Sequence, residues 1–384
     1  MIRFDVGIIG LGAMGTAAAY SLARQGVSVA GFEQFAAGHM LGSSHGETRI
    51  IRSVYFEGVL YDPLVRAAYA AWAQLEAAAG QTFFHRTGGL DISLKQDGVF
   101  EVALAAAMAA GQPFEVLEGL ALEERFPAFE LGGAGRAVYA ADSGLLDSDT
   151  ATGWMRDTAS QAGARLHFNC PVTGWARIAG GFRLETADGA VEARKLIIAA
   201  GSWAGDILPQ LAPILIPERQ VVAWYDAPGP DHANLPIFQL ETRAAERFYG
   251  FPPHAGQGLK LGLYHHRGEQ GHAHIAPRGV DETDLALLGR GLELALPGVS
   301  RTPQRALECR FTLAPQERFL IGHMPGDKDL VVLSPCSGHG YKFMPVIGEI
   351  AASLALEQAP EVDISAFSLE RFLQALSPRR VGPQ

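Results

Sequence analysis

The sequence predicts an α/β fold: a Rossmann-like nucleotide-binding domain assembled from discontinuous segments, joined to a β-sheet-rich α+β domain. Three observations carry that expectation. Gly10-Leu11-Gly12-Ala13-Met14-Gly15 lies between an apolar strand pattern and a run of helical spacing, and Glu33 closes the unit. Buried-strand patterns return much later, at residues 195–200 (KLIIAA) and 329–333 (DLVVL). Between 217 and 311 the apolar residues follow strand periodicity (VVAWYD, RFYGFP, LKLGLY), with one helical run near 282–296.

In chain order, FDVGII at 4–9 suits a strand buried on both faces. The glycine turn follows, and residues 16–25 continue with the small side chains Ala17, Ala18 and Ala19. Gly26 can end that helix because it tolerates a positive φ. VSVAGF at 27–32 is the next strand, and it runs into Glu33. Strand, glycine turn, helix, strand and acid within about 30 residues is the spacing of a dinucleotide-binding unit. Gly10 makes the tight turn, Gly12 lets backbone approach a pyrophosphate, and Gly15 lets the helix pack closely. The helix N-terminus offers its unpaired N–H groups to phosphate. Glu33, 23 positions after Gly10, suits ribose hydroxyls and would repel a 2′-phosphate, which disfavours NADP.

Further along, the polar stretch 42–52 (GSSHGETRIIR) leads into a helix near 63–79, strand-like pieces near 88–94 and a helix near 99–110. Another helix is predicted at 149–162. The strand at 329–333 runs on to Ser337-Gly338-His339-Gly340, after which Phe343, Ile347, Ile350 and Leu354 recur at helical spacing. Residues 1–82, 146–216 and 316–384 are assigned to the nucleotide domain, and 83–145 and 217–315 to the second domain. A ligand is expected between them, at the carboxyl ends of the parallel strands.

Composition excludes several classes. With 48% hydrophobic and 19% charged residues in 384, the chain can bury sizeable cores and is not disordered. A net charge of −10 argues against nucleic-acid and anionic-membrane partners. Cys170, Cys309 and Cys336 are too scattered for a disulfide framework or thiolate zinc site, and the histidines show no ligand spacing, so no metal is expected. No apolar run approaches a membrane span and no cleavage-site pattern follows the N-terminus, so a soluble, cytoplasmic protein is expected. Only five of the 31 basic residues are lysines, and two of them, Lys260 and Lys342, sit in apolar or glycine-rich settings.

The glycine fingerprint does not choose between FAD and NAD. GLGAMG resembles the opening of the β-hydroxyacid dehydrogenases, which use NAD(P) and follow one continuous nucleotide domain with an all-helical one. Recurring strands here favour a flavin instead. In the stretch 42–52, small residues allow a loop to lie against a flat ligand, and Thr48 and Arg49 supply donors; a solvated polar loop is the plainer alternative. Lys260, within Gly258-Leu259-Lys260-Leu261-Gly262, is either an outward lysine on an alternating strand or a cation preplaced for a developing anion. Lys342 lies near a helix N-terminus, a poor place for a merely solvated cation. Cys309 by itself reads as a small buried residue.

Taken together in order and spacing, GLGAMG with Glu33, GSSHGETRIIR, FYGFP at 248–252, GLKLG, Cys309 and SGHGYKF at 337–343 resemble the monomeric sarcosine oxidase and N-methyltryptophan oxidase group of D-amino-acid-oxidase-like flavoproteins, over essentially the whole chain. The resemblance implies a Rossmann-like FAD-binding domain. It places Gly10, Gly12, Ala13, Met14, Gly15, Glu33, Gln34, Ser43, Ser44, Thr48, Val172, Gly201, Gly338, His339, Gly340 and Lys342 at the cofactor, with Arg49 beside its ring, and counts His45 with Arg49 and Lys260 as catalytic. It gives Lys260, helped by Arg49, the activation of O2, Arg52 and Lys342 the substrate carboxylate, Tyr249 a pocket wall, and Cys309 a thioether to the flavin, with Arg310 or a nearby cation available to depress the thiol pKa. Family members carry a histidine four residues beyond the lysine; Tyr264 stands there, and an implied one-residue insertion hands that role to His265. The implied activity is oxidation of a secondary amino acid, sarcosine or another N-methyl or N-substituted one, by hydride transfer to flavin. The imine hydrolyses and O2 becomes H2O2. A monomer with a small substrate is implied. A flavin dehydrogenase or subunit passing electrons to a partner, and an NAD-dependent hydroxyacid dehydrogenase, stay open as alternatives.

Overall fold

The strand Arg3–Ile9 pairs in parallel with Val29–Phe32 on one side and with Gly189–Ile198 on the other. Val29–Phe32 continues the parallel ladder to Arg165–His167, and Gly189–Ile198 continues it to Asp327–Ser334 through Leu196 opposite Leu330. The three apolar patterns of the sequence, near 4–9, 195–200 and 329–333, therefore lie side by side in one sheet, as predicted. Leu320–Met324 adds an antiparallel strand against Asp327–Ser334, and Val172–Ile178 with Gly181–Thr186 extends the first half of Gly189–Ile198. Ile8, Ile197, Ile198, Val331 and Val332 are fully buried, which is why the central strands have no polar face.

This computed structural model describes residues 3–275 and 277–376; the domain ends predicted at 1–2 and 377–384 lie outside the described residues. The sheet above belongs to one of two units, made of Met1–His45, Asp149–Pro217 and Phe311–Gln384. Its helices Ala13–Ala23 and Met344–Ala355 each follow a glycine-rich turn, and they pack on one another through small residues. A Cβ on Gly348 would stand 2.5 Å from the carbonyl oxygen of Ala17, so that contact requires glycine. Phe32, Phe182, Leu184, Leu320 and Val332 form part of the unit's core, each buried side chain contributing roughly 1.5–3 kcal/mol.

The second unit comprises Gly46–Ser148 and Glu218–Arg310. It is built on a sheet in the order Pro303–Leu313, Ile216–Tyr225, Leu259–Leu263, Arg247–Phe251, Ile237–Glu241, Gly89–Ser93, Arg136–Ala140, Glu115–Glu118. Thr48–Ile51, Gly144–Asp147 and Phe84–His85 make a smaller sheet. The domain boundaries predicted from sequence are corrected at 46–82 and 146–148, which lie in the second unit, and at 217 and 311–315, which lie in the first. The reason is pairing: Thr48–Ile51 forms an antiparallel ladder with Gly144–Asp147, and Glu76 of the Asp62–Ala79 helix accepts the N–H groups of Phe83 and Phe84, both at 2.7 Å. Among the described residues no helix is long and apolar enough to cross a membrane.

Candidate active site

In the first unit the fingerprint is shaped by sterics. Gly10 has φ +94°, and a Cβ there would meet the carbonyl oxygen of Ala199 at 2.5 Å; one on Gly15 would collide with the carbonyl of Gly10. Gly12 caps the Ala13–Ala23 helix, and Ser44 Oγ accepts the Ala13 N–H at 2.9 Å, so a residue 31 positions away is folded onto the turn. Met14 is half-buried in the first helical turn, and Ser43 and Gln34 are half-buried in the adjoining loops. Glu33 is 7% exposed. Its Oε2 accepts the Leu11 N–H at 3.0 Å and its Oε1 the Phe35 N–H at 3.2 Å, with His39 Nε2 at 3.6 Å. Burial pulls the His39 pKa below its ordinary value despite the Glu33 charge. A turn that excludes side chains, a helix N-terminus and a carboxylate fixed at a strand end fit a dinucleotide.

The second turn of this unit follows Asp327–Ser334. Ser337 and Gly338 have φ +43° and +81°, and a Cβ on Gly340 would collide with the carbonyl of Pro335. His339 stacks on Phe319 at 4.7 Å, and its Nε2 is 3.1 Å from the carbonyl oxygen of Glu317. Lys342 is 4% exposed, and its Nζ donates to the carbonyl of His339 at 2.5 Å. Val172 opens the Val172–Ile178 strand, Gly201 (φ +52°) follows the Gly189–Ile198 strand, and the buried His45 ends the unit's first segment.

The second unit gathers cations around Gly46, which has φ +107°. A Cβ on Gly46 would stand 3.4 Å from Arg49 Nη1 and 3.6 Å from Lys260 Nζ. Lys260 Nζ donates to the carbonyls of Gly46 (2.7 Å) and Thr48 (3.0 Å) and to Thr48 Oγ1 (3.4 Å). Arg49 Nη1 donates to the Thr48 carbonyl at 2.8 Å. The Leu259–Leu263 strand is buried throughout and Lys260 is 3% exposed, so the outward-facing alternative fails. The rings of Phe251 and Trp224 lie 4.7 and 5.3 Å from the ammonium, within cation–π range.

Tyr249 sits directly across from Gly262, where a Cβ would collide with its ring; the second glycine of GLKLG exists to seat that aromatic. Burial raises the Tyr249 hydroxyl pKa well above its ordinary value, a Cys309 thiolate would add to the rise, and Arg49 opposes it. Tyr249, half-buried Cys309 and Arg49 therefore share one electrostatic neighbourhood. Arg310 does not serve as the cation beside the thiol. Its guanidinium donates to the carbonyls of Ala273 and Ile275, and adjacent residues on a strand face opposite ways.

Arg52 is 3% exposed and already paired. Nη1 donates to Asp91 Oδ1 at 3.0 Å and Nη2 to Glu57 Oε1 at 2.6 Å, while the Phe56 and Tyr55 rings lie 4.3 and 5.3 Å away. Burial alone would lower the Arg52 pKa; the two carboxylates overcome it and hold it above the ordinary value. Desolvation pushes Asp91 up to about 6, against the pull of Arg52. The resemblance also gives His265 a pocket role. The Leu259–Leu263 strand runs without interruption, and Tyr264 follows it, its N–H donating to the Arg247 carbonyl at 2.8 Å. His265, at φ +62°, has left the strand, and its Nδ1 lies 2.8 Å from Glu218 Oε1. Tyr264 is near enough to Tyr55 to influence its titration.

Residues 5–354 match the family described as FAD dependent oxidoreductase. The chain belongs to this family. Among curated proteins, this FAD-dependent oxidoreductase is 35% identical over 373 residues to an N-methyl-L-tryptophan oxidase of Yersinia pestis (strain Pestoides F), covering 96% of this chain and 99% of the relative. Among solved structures it resembles the open form of NikD, an amino acid oxidase of nikkomycin biosynthesis, with TM-score 0.85, 25% identity and coverage of 96% and 98%. It shares the fold of glycine oxidase from Geobacillus kaustophilus, with TM-score 0.80, 19% identity and coverage of 96% and 99%.

Several groups of this oxidoreductase were missed in the sequence. Glu57 and Asp91 were overlooked as partners of Arg52, although Asp91 signals itself as a lone charge in the apolar strand Gly89–Ser93. The absence of histidine ligand spacing did not anticipate that His85, Asp147 and His254, from three separate segments, come together.

Proposed function

We propose that this FAD-dependent oxidoreductase oxidises N-methyl amino acids, with dioxygen as final acceptor. In balance, the N-methyl amino acid, O2 and water give the primary amino acid, formaldehyde and H2O2. FAD, when bound, supplies the two-electron acceptor that this chemistry requires. The glycine turn, the Ala13–Ala23 helix and Glu33 are the groups suited to its diphosphate and ribose, and Cys309 is the nucleophile for a thioether tether.

The observation that carries the reading is Arg52. Its Nε–H is buried and has no hydrogen-bond partner among the described residues, and its guanidinium is walled by the rings of Phe56 and Tyr55. A guanidinium is the side chain best suited to a carboxylate, and an aromatic wall suits an amino acid with an apolar side chain. Arg52 binds the substrate carboxylate, the role that the sequence resemblance also gives Lys342. Lys260 and Arg49 attend to dioxygen, which gains negative charge as it is reduced and is helped by positive groups fixed beforehand. The relative's substrate, N-methyl-L-tryptophan, is the natural first member of the test panel.

The test is a peroxide-release screen with N-methyltryptophan, sarcosine, N-methylalanine, proline and the primary amino acids. Equal yields of peroxide and formaldehyde from the N-methyl substrates are expected. Flavin bleaching without oxygen uptake would instead indicate electron transfer to a partner and sink the oxidase reading. Acid denaturation should leave the yellow colour on the chain, and Cys309→Ala should release it.

A further inference from the structure

A different constellation lies among residues to which the proposed oxidation gives no role. His85 ends the Phe84–His85 strand, Asp147 ends Gly144–Asp147, and His254 follows Arg247–Phe251. Asp147 Oδ2 is 2.8 Å from His85 Nε2, and Oδ1 is 2.7 Å from His254 Nε2. The imidazole centroids are 4.6 Å apart, and one ligand atom from each residue can be chosen so that all three lie within 4.8 Å of one another. All three side chains are partly exposed, so a hydrated ion has access.

Backbone pairing holds each ligand in place. His85 is opposite Leu145, and the Asp147 N–H donates to the Phe83 carbonyl at 2.8 Å. His254 exchanges two backbone hydrogen bonds with Gln257, at 3.2 and 2.8 Å. Ligands on a tetrahedral zinc ion stand about 3.3 Å from one another, given metal–ligand bonds of roughly 2.0–2.2 Å. To match, the two Asp147–histidine separations of 2.8 and 2.7 Å must open by about half an ångström, and the widest of the three, no more than 4.8 Å, must close. Each imidazole that presents Nε2 to a metal carries its hydrogen on Nδ1.

We propose that His85, Asp147 and His254 bind a divalent transition-metal ion of the zinc class, with water completing its shell. Two imidazoles and one carboxylate suit zinc and its neighbours, whereas Mg2+ and Ca2+ prefer oxygen ligands. Such an ion would tie the smaller sheet to the loop after Arg247–Phe251. Asp147 is the cross-strand partner of Thr48, whose carbonyl holds Lys260, and Phe251 is the cross-strand partner of Lys260 itself. The ion would thus brace the two strands that position Lys260.

The flavin-loaded protein, freed of metal with chelator, is titrated with Zn2+ alone by calorimetry, and its melting is followed with and without Zn2+. One ion per chain is expected, with a rise in melting temperature that grows with Zn2+ concentration. The double variant His85→Gln/His254→Gln should bind roughly 100-fold more weakly and lose that rise. Cu2+ bound to the wild type should show coupling to two imidazole nitrogens by electron paramagnetic resonance, a measurement that needs no variant. Equal Zn2+ binding by the wild type and the double variant, Cu2+ without nitrogen coupling, or displacement of Zn2+ by equimolar Mg2+ would overturn the site.

Discussion

Lys260 and Arg52 are both almost wholly buried cations of the second unit, and they are held in opposite ways. Two carbonyls and a hydroxyl receive the ammonium of Lys260, with aromatic faces beside it. Two carboxylates receive the guanidinium of Arg52. Neutral acceptors orient a charge without cancelling it, whereas a carboxylate on each amino nitrogen compensates the charge and sets a competitor against any incoming anion. The difference matches the two tasks proposed for them. A group that meets negative charge arising during reaction must keep its field, while one that binds an anion present from the start can exchange one carboxylate for another.

The largest effect expected from this contrast is at Lys260. Lys260→Met preserves length and apolar contacts but removes the charge, and oxidation of the reduced flavin by O2 should slow by roughly 100- to 1,000-fold. Reduction by substrate should change little. Stopped-flow measurement of the two half-reactions separates them, and equal losses in both would erase the distinction between the cations.

Legibility in the sequence follows how local each interaction is. The fingerprint turn could be read because strand, glycines, helix and acid are contiguous, and the strands near 195–200 and 329–333 because both faces are buried. The Val172–Ile178 and Pro303–Leu313 strands escaped, since charged residues at every level of burial, the exposed Arg177, the half-buried Glu308 and the buried Arg310, obscure the apolar alternation. Ser44 on the Ala13 N–H and Asp91 on Arg52 are separated by 31 and 39 positions, and only the fold reveals them. One signal lies in the sequence itself: adjacent strand residues face opposite ways, which turns Arg310 away from Cys309.

A smaller effect tests the Arg52 side of the comparison. Asp91 has its pKa raised from the ordinary 3.8 to about 6, mainly by desolvation. Below about pH 6 it becomes neutral and leaves Glu57 as the carboxylate competing for Arg52, so a small carboxylate inhibitor should bind about tenfold more tightly as pH falls through that value. Stability runs the same way: between 3.8 and about 6 the folded chain holds a proton that the unfolded chain has lost, so rising pH destabilises the protein. Asp91→Asn should flatten both dependences. An unchanged pH profile of inhibitor binding, followed through the flavin spectrum, would show that Arg52 is not balanced in this way.

The smallest change is expected at a third buried cation, Arg310, whose position next to Cys309 in sequence makes it the tempting activator of the thiol. Its guanidinium is committed to the carbonyls of Ala273 and Ile275, and burial lowers its pKa. Arg49 reaches the neighbourhood of Cys309 through Tyr249 instead. Arg310→Lys keeps a cation but cannot span both carbonyls, and should cost about 1–2 kcal/mol, seen as a fall of a few degrees in melting temperature. The fraction of flavin that stays with the acid-denatured chain should not move, while Arg49→Met should reduce it. If Arg310→Lys alone released the flavin, sequence adjacency would outweigh strand geometry as the guide to which cation governs the thiol.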